Sequence, residues 1–584
     1  MNKILWLDLN SSYSHSSLAL PALHSQLHGD EGWQWAVVSA TTNEDPGKAA
    51  AAVYAQKPDV VAATCWLFTH DHLMATLSRI SRLLPKAKII LGGPEFLGEN
   101  ETFLKKNPFV SCVFRGEGEV SFPAWLRRWN DKSRWYEIPG ICWIEDGQYN
   151  DMGLAKTSDE GLDDFTNLHF PEESRFFNWD KAFVQLETCR GCFNTCKFCV
   201  SGGEKPVRVL PMNMVRERVA LIHKHGIRDV RMLDRTFNYD QKRAVEMLEL
   251  FKSYHPDMRF HLEVHPALLT DKLKEEIAKM PAGLLHIEAG IQSLHQDVLD
   301  ACGRRGSLKA SLEGLKYLAS LDNIIVHADL IAGLPLYHLD QIFDDVKELA
   351  SYSIGEIQLE SLKVLPGTRM REQAQELGLR YSPDPPYEVL MTNQMSPDEI
   401  SQAMHLSRMI DFYYNTEAWQ DVFREIILST QRQNFMKDFM EYLVNISVID
   451  MPLSLERRGI ILLEFCKTYA PEFSYNIICA WVEAGISLKK VPGDPVFRIK
   501  YLQRFIDEEG SKGHLCISYG LEYLPEAIKI KANETDVIIS PEEAKLISET
   551  LRIYCLRRED GRAELFGFDA KEHKPNPVFR GTLD

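Results

Sequence analysis

Short apolar runs alternate with helix-like stretches over the first 130 or so residues of the chain. The runs fall at residues 4–7, 35–38, 60–63, 89–91 and 113–114. Apolar runs of this length, separated by helices of about 10–15 residues, indicate βαβ units and a parallel sheet. We therefore predict a doubly wound α/β domain over residues 1–165. In such a domain the ligand site lies at the carboxyl ends of the strands.

The loops that follow two of these strands contain the first candidate binding residues. Gly92 and Gly93 follow the fourth run, and Gly116, Glu117 and Gly118 follow the fifth. Glycine has no Cβ, so a backbone rich in it can approach a flat or bulky ligand closely. The three tryptophans 33, 35 and 66 are expected to pack in the core of this domain.

A second alternation of strands and helices predicts a central domain over residues 166–390. The strand candidates are residues 183–186, 230–233, 260–264, 284–287, 324–330 and 357–362. Six β–α units in succession indicate a partial (β/α)6 barrel of the TIM type, whose active residues lie at the carboxyl ends of its strands. After the proline-rich stretch 382–386 the pattern becomes mainly helical, with a mixed tail from about residue 514. Residues 391–584 are therefore predicted to form a mainly helical C-terminal domain, in which no motif indicates a role.

Composition and charge exclude several classes of protein. The 584 residues are 45% hydrophobic and 26% charged, which excludes wholesale disorder. No uncharged apolar run reaches the length of about 18 residues that a membrane-spanning helix needs. The net charge of −17 opposes attraction to phosphate backbones and disfavours nucleic acid as a partner. Asp8 interrupts the first apolar run too early for a signal peptide, so a cytoplasmic location is expected.

The cysteines provide the strongest chemical signal. Of the twelve, Cys189, Cys192, Cys196 and Cys199 fall within eleven residues, directly after the first strand of the predicted barrel. The last three have the spacing C-x3-C-x2-C, and thiolates so placed bind an iron–sulfur cluster or zinc. Three thiolates can hold three irons of a cubane and leave the fourth iron open, whereas a structural zinc site would normally close with a fourth ligand. Cys189 could be that ligand or a bystander, so spacing alone favours a cluster without excluding zinc.

This cysteine loop on a predicted barrel resembles the radical S-adenosylmethionine (SAM) superfamily. The domain before it resembles the cobalamin-binding domain of one branch of that superfamily, in which an uncharacterised C-terminal domain often follows. The resemblance covers residues 1–390. It includes the motifs at 91–95, 115–119, 234–238, 290–293, 329–335 and 365–368.

The resemblance implies particular cofactors and chemistry. A [4Fe–4S] cluster bound by Cys192, Cys196 and Cys199 would chelate SAM at its open iron. Reductive cleavage of SAM would then release a 5′-deoxyadenosyl radical, with an electron donor such as flavodoxin or ferredoxin. Cobalamin would bind between the first domain and the mouth of the barrel.

Further site residues follow from the resemblance. SAM contacts are expected from residues at strand ends, each of which could instead form a local salt bridge or turn; they are Asp234, Arg235, Glu263, Gln292, Ser293 and Gly333. Cobalamin is expected at the glycine-rich loops and near His15, a residue that could equally cap a helix. The chain lacks the D-x-H-x-x-G motif that places a histidine on cobalt.

The reaction that this family resemblance favours is methylation of an unactivated carbon, with methylcobalamin as the methyl donor. An apolar carbon has no lone pair with which to attack SAM directly, and a radical removes that obstacle. A small molecule or a peptide is the expected substrate, and no catalytic residue can be named. The alternatives are a radical rearrangement, cyclisation or oxidation, a non-catalytic iron–sulfur or corrinoid carrier, and a zinc-stabilised binding protein. Sulfur insertion into tRNA is disfavoured by the charge.

Overall fold

The structure is a computed structural model that describes residues 2–12, 17–27, 29–156, 167–204, 206–429 and 431–486, followed by the backbone of seven strands between Val496 and Leu583. The chain divides into two compact units, Met1–Met404 and His405–Asp584. Among the described helices, none combines the length and the apolar character that crossing a membrane requires.

A seven-stranded sheet opens the first unit, in the order β2-β1-β3-β4-β5-β6-β7. The first five strands are parallel, as the sequence predicts, and an antiparallel hairpin of β6 and β7 extends the sheet beyond β5. The strands are β1 (Lys3–Asn10), β2 (Gln34–Thr41), β3 (Val60–Thr64), β4 (Lys88–Gly92), β5 (Val110–Phe114), β6 (Ile141–Glu145) and β7 (Gln148–Asp151).

Helices cover both faces of this sheet, which confirms the doubly wound arrangement. Leu73, Leu77 and Ile80, spaced at three to four residues, bury one face of a helix against one side of the sheet. Trp125 and Trp135 fill the core on the other side. The helices are α1 (Ala19–His24), α2 (Pro46–Gln56), α3 (His70–Leu83), α4 (Glu101–Lys106) and α5 (Gly118–Leu126).

The strand order creates a crevice at the carboxyl ends of the strands, next to β1. Because β1 lies between β2 and β3, the connections leave β1 in opposite directions at this point. In parallel sheets such a switch point leaves an open crevice at the carboxyl ends of the strands, where ligands bind.

Six parallel strands in sequential order form the second sheet, as expected for a partial (β/α)6 barrel. They are β8 (Phe183–Leu186), β11 (Asp229–Met232), β12 (Arg259–Val264), β13 (Leu285–Gln292), β14 (Ile325–Ala332) and β15 (Glu356–Ser361). Two short strands, β9 (Cys189–Arg190) and β10 (Arg208–Val209), pair antiparallel after β8. Burial alternates along β13: Ile287 and Ala289 are fully buried, while His286 and Glu288 are only half-buried. The opposite face of the strand is therefore polar.

Helices connect the barrel strands, and several begin at a residue whose side chain caps the helix. Asp240, Thr270 and Ser307 each accept a hydrogen bond from a backbone N–H in the first turn. The helices are α6 (Met212–Lys224), α7 (Gln241–Lys252), α8 (Asp271–Ala278), α9 (Gln296–Ala301), α10 (Leu308–Ala319), α11 (Leu339–Ser351) and α12 (Arg369–Glu372). A two-stranded sheet of β16 (Arg380–Tyr381) and β17 (Val389–Met391) follows.

The C-terminal part is helical up to Glu483, which confirms the predicted helical region over that span. Its helices are α13 (Pro397–Met409), α14 (Glu417–Leu428), α15 (Phe435–Asn445), α16 (Leu455–Tyr469) and α17 (Ser474–Glu483). Beyond them come antiparallel strands: β18 (Val496–Ile499), β19 (Tyr501–Phe505), β20 (His514–Gly520), β21 (Asp536–Ile538), β22 (Leu551–Arg557), β23 (Ala563–Asp569) and β24 (Phe579–Leu583). The predicted domain boundary at residue 165 lies outside the described residues, and both boundaries remain predictions.

Candidate functional site

The three clustered cysteines lie on the loop between β9 and β10, at the carboxyl end of the first barrel strand. Cys196 is buried, while Cys192 and Cys199 are half-buried. Burial raises the pKa of the thiols of Cys196 and Cys199. The charge of Cys192 raises both values further, so the three sulfurs interact electrostatically.

The backbone of the loop is wound tightly around these cysteines. The N–H of Gly202 donates to the carbonyl of Cys199 at 3.0 Å. A Cβ on Gly202 would lie 2.1 Å from the carbonyl oxygen of Cys196, so only glycine fits. The side-chain oxygen of Asn194 accepts the N–H groups of Thr195 and Arg305 at 2.8 and 2.9 Å and ties the loop to the region after α9.

A cation and a hydroxyl approach the sulfurs. Arg304 Nη1 lies 3.7 Å from Cys196 Sγ, and its charge lowers the pKa of that thiol against the larger effect of burial. Thr236 Oγ1 lies 3.9 Å from Cys192 Sγ. Both groups can stabilise thiolates that carry negative charge when they bind metal.

The spacing of the sulfurs argues for a cluster over a single ion. Thiolates on one zinc ion lie under 4 Å apart, because each Zn–S bond is about 2.3 Å. Within the described residues, the three cysteines do not form a group whose ligand atoms all lie within 4.8 Å of one another. A wider set of sulfurs suits an inorganic core with several irons.

Cys189 precedes the loop on β9, where it pairs with Val209. Its backbone N–H donates to Asp234 Oδ1 at 2.9 Å, and burial raises the pKa of its thiol. Its role as a ligand or a bystander stays open.

Asp234, the first predicted SAM contact, is deeply buried. Its carboxylate accepts the N–H of Thr188 at 2.7 Å and that of Cys189 at 2.9 Å, together with the Thr188 hydroxyl. Burial raises the pKa of this carboxyl, and these hydrogen bonds oppose the rise. Asp234 thus fixes the start of the cysteine loop, and direct contact with SAM remains a prediction.

Arg235 and Glu263 lie together at the mouth of the barrel. Their side chains form an ion pair with 3.8 Å between Nη1 and Oε1. Burial raises the pKa of Glu263 to about 7, and the charge of Arg235 opposes that rise. A cation and a carboxyl group at this position could meet the two ends of an amino acid zwitterion.

The remaining three predicted SAM contacts belong to the ends of β13 and β14. Gln292 has a positive φ of 73°, which turns the chain at the end of β13. Ser293 is fully buried, and its hydroxyl accepts the N–H of His295 at 3.2 Å. Gly333 has φ of 83°, and a Cβ there would lie 2.4 Å from Val389 Cγ1. These surroundings give Ser293 and Gly333 structural roles, and their contact with SAM remains a prediction.

A cavity of about 800 Å³ joins the carboxyl ends of the first sheet to the mouth of the barrel. The glycine-rich loops line it from one side, with Gly92, Gly93, Gly116, Glu117 and Gly118. The opposite wall comes from the barrel and from residues that flank the cysteines; it includes Gln185, Cys189, Gly191, Ser201 and Arg235. The crevice of the first sheet therefore opens directly onto the cysteine loop.

Two of the cavity glycines are required by the backbone itself. Gly93 has φ of 115°, and a Cβ there would lie 2.6 Å from the carbonyl oxygen of Cys65. Gly116 has φ of 96°, and its Cβ would lie 2.3 Å from the carbonyl oxygen of Ala155. The smooth cradle that results fits a flat, bulky group such as a corrin ring. His15 lies outside the described residues.

Sequence reasoning missed Phe68 at this site and favoured the core over cofactor stacking for Trp66. Trp66 is 39% exposed and Phe68 is 67% exposed, and both line the cavity. The expectation that Trp66 packs in the core is wrong, because the strand before it ends at Thr64 and the chain turns out into the crevice. Trp33 is buried as expected.

Ion pairs hold the first sheet domain against the barrel beside the cavity. Arg208 forms bonds to both carboxylate oxygens of Glu117, at 3.1 and 2.5 Å. Arg190 lies 2.6 Å from Glu119 and 3.3 Å from Glu117. Glu117, a predicted cobalamin contact, therefore links the two domains, while its role toward a cofactor remains a prediction.

Family models match three segments of the chain. Residues 7–126 match the B12 binding domain, residues 186–349 the radical SAM superfamily, and residues 375–478 a protein of unknown function (DUF4080). The chain therefore contains a B12 binding domain followed by a radical SAM domain, as the resemblance indicated. The cofactors of these two domain types are cobalamin, and a [4Fe–4S] cluster with SAM.

Similar proteins share this architecture. A cobalamin-dependent radical SAM methyltransferase, TokK from Streptomyces tokunonensis, is 23% identical over 62% of this chain. The chain spans 57% of the length of that relative. The solved structure of the cobalamin-dependent SAM radical enzyme OxsB with aqua-cobalamin bound has a TM-score of 0.54 and 14% identity, covering 82% of this chain and 79% of that one.

The methyltransferase TsrM from Kitasatospora setae, solved with cobalamin and a [4Fe–4S] cluster bound, has a TM-score of 0.53 and 18% identity, covering 69% of this chain and 82% of that one. At these identities the structural likenesses establish the fold.

Proposed function

We propose that this chain, in which a B12 binding domain precedes a radical SAM domain, is a cobalamin-dependent radical SAM enzyme that methylates an unactivated carbon. The observation that supports it most is the shared cavity. The glycine-rich loops and residues next to the cysteine loop line one space of about 800 Å³. A methyl carrier and a radical source would thus be within reach of one substrate.

The residues around the loop suit a bound cluster. When bound, the cluster and SAM would supply a carbon-centred radical, and cobalamin would supply the methyl group. Cys192, Cys196 and Cys199 would be the cluster ligands. Burial keeps the thiols of Cys196 and Cys199 protonated before metal binds, so loading the site releases protons. Arg304 then faces the negative charge from 3.7 Å.

The cavity wall has a polar and an apolar region. Arg235, which lines the cavity, and its ion-pair partner Glu263 would hold the amino acid end of SAM at the barrel mouth. Trp66 and Phe68 offer apolar surface on the side of the first sheet, suited to a flat ring or an apolar substrate. The ion pairs of Arg190 and Arg208 keep the two walls together, which helps to exclude water.

The substrate is proposed to be a small molecule or a peptide, since the net charge of −17 disfavours nucleic acid. A flavodoxin or ferredoxin is the proposed electron donor.

Methyl transfer can be tested with labelled SAM. The protein, purified and reconstituted without oxygen, is supplied with cobalamin, a reductant, extract metabolites and SAM that carries a CD3 group. We expect a product whose mass increases by a CD3 group in place of hydrogen, formed together with S-adenosylhomocysteine and 5′-deoxyadenosine. A product without the label would instead establish a radical rearrangement, cyclisation or oxidation.

The matched variant for this assay is Gly93→Ala. Its Cβ would lie 2.6 Å from the carbonyl oxygen of Cys65, so the cobalamin loop must shift. We expect this variant to retain its iron while losing most of its cobalamin and its methyl transfer. Unchanged methyl transfer by a cobalamin-free variant would contradict the proposal.

A further inference from the structure

A second set of side chains that could bind a metal ion lies in the barrel, at the end opposite the cysteine loop. His286, His327 and Glu356 are close to the amino ends of β13, β14 and β15, and His327 pairs directly with Glu356 in the sheet register. One ligand atom from each lies within 4.8 Å of the others. None of these residues belongs to the site described above.

The two histidines lack the hydrogen bonds that buried imidazoles normally form. His327 is 4% exposed, and neither of its ring nitrogens has a hydrogen-bond partner. His286 Nε2 is also buried without a partner. Each such buried polar atom costs about 1–3 kcal/mol. Three buried nitrogens without hydrogen-bond partners, gathered in one group of side chains, therefore indicate a binding site for an ion or another ligand.

The charges around the cluster favour a cation. Glu356 Oε1 lies 3.5 Å from His327 Nε2, and Asp329 Oδ1 lies 3.9 Å from the same nitrogen. Burial lowers the pKa of His286 to about 4 and also lowers that of His327, so neutral imidazole lone pairs are available near pH 7. Arg231 and His261 are the opposing charges that face His286.

We propose that His286, His327 and Glu356 bind one divalent transition-metal ion, and among the ions that accept this donor set we propose zinc. Two imidazoles and one carboxylate form the ligand set of three-ligand zinc sites, which keep a further position for water or an exogenous ligand. The Glu356 side chain is 34% exposed and gives the ion a route from solvent.

Zinc binding can be measured on the holoprotein. The reconstituted protein, with its cysteines occupied by the cluster, is treated with a mild chelator and titrated with Zn²⁺ against a chromogenic competitor. We expect one equivalent to bind, with affinity reduced at least tenfold in His286→Gln and in His327→Gln. X-ray absorption at the zinc edge should show nitrogen and oxygen neighbours at about 2.0–2.1 Å and no sulfur.

His261→Gln is the matched control. His261 lies on the neighbouring strand β12, with its ring centroid 4.6 Å from that of His286 and its Nε2 hydrogen-bonded to Glu288 at 3.0 Å, so its loss should change zinc affinity much less than the tenfold expected of the ligand variants. Iron content equal to that of the unsubstituted protein shows that each variant is folded. Absence of zinc binding, affinity that is unchanged in both ligand variants, or sulfur neighbours of zinc would each overturn the proposal.

Discussion

At the scale of single residues, the cysteine loop has a charged neighbour, Arg304, that lies far from it along the chain. Three thiols at C-x3-C-x2-C spacing have few other uses in an otherwise cysteine-poor segment. Arg304 reaches Cys196 from beyond α9, more than a hundred residues later, and no local pattern marks it. Similarly, His286, His327 and Glu356 are separate along the chain and meet only because three strands align. The family resemblance implies Asp234 as a SAM contact, but its hydrogen bonds to Thr188 and Cys189 depend on the fold.

The raised pKa of Glu263 leads to a prediction about how the stability of the folded protein depends on pH. Burial raises this pKa from 4.5 to about 7, so folding takes up a proton between these values and the stability contribution of Glu263 falls as the pH rises through that window. Above pH 7 the folded protein bears the full cost of a partly buried charge. Glu263→Gln removes that cost, so its melting temperature should exceed that of the unsubstituted protein at pH 8 and approach it at pH 4. An equal difference at both pH values would contradict this assignment.

At the scale of secondary-structure elements, the strand predictions succeed because both sheets are parallel and buried. Such strands read as short apolar runs, and all six barrel strands lie within a few residues of their predicted positions. The hairpin of β6 and β7 joins the first sheet in antiparallel orientation, a pairing that periodicity does not encode. The cysteine loop has no regular pattern at all, and its shape depends on close backbone contacts at Gly202.

Gly202→Ala tests the geometry of this loop. A Cβ placed 2.1 Å from the carbonyl oxygen of Cys196 must displace the backbone, at a cost of about 1–3 kcal/mol. We expect the variant to lose most of its iron and sulfide after reconstitution. In Gly203→Ala the nearest atom is 3.8 Å away, so this variant bears only the strain of a positive φ, about 1–2 kcal/mol, and should retain its cluster. Equal iron contents in the two variants would show that the loop tolerates a shift at Cys196.

At the scale of the whole molecule, function depends on how the first sheet domain meets the barrel. The sequence predicts each domain and the end of each sheet at which ligands bind. It does not predict that Arg190 and Arg208 would join them, because an isolated arginine carries no signal of its partner. Gly98 follows the motif at 91–95, Gly367 lies in the motif at 365–368, and a Cβ on Gly98 would lie 3.1 Å from the backbone nitrogen of Gly367. This close backbone contact explains why residue 98 is a glycine.

Arg190→Met tests the contact between the two domains. Its side chain is 15% exposed and that of Glu119 is 9% exposed, so removing the cation takes this ion-pair partner from a buried carboxylate. We expect a loss of about 3 kcal/mol in stability, seen as a lower melting temperature, together with weaker cobalamin binding. Arg216→Met is the control, because Arg216 pairs with Glu246 at the surface and should contribute less than about 1 kcal/mol. If both substitutions lowered the melting temperature equally, the ion pairs would not hold the domains together.

The most direct test of the account is cleavage of SAM by the reduced, reconstituted protein, compared with its Cys196→Ser variant. We expect the unsubstituted protein to form 5′-deoxyadenosine. The variant should form at least a hundredfold less of it and should still bind cobalamin. Cleavage that persists in the variant, or a fully iron-loaded protein that forms no 5′-deoxyadenosine with or without cobalamin, would contradict the assignment of this loop as the radical SAM site.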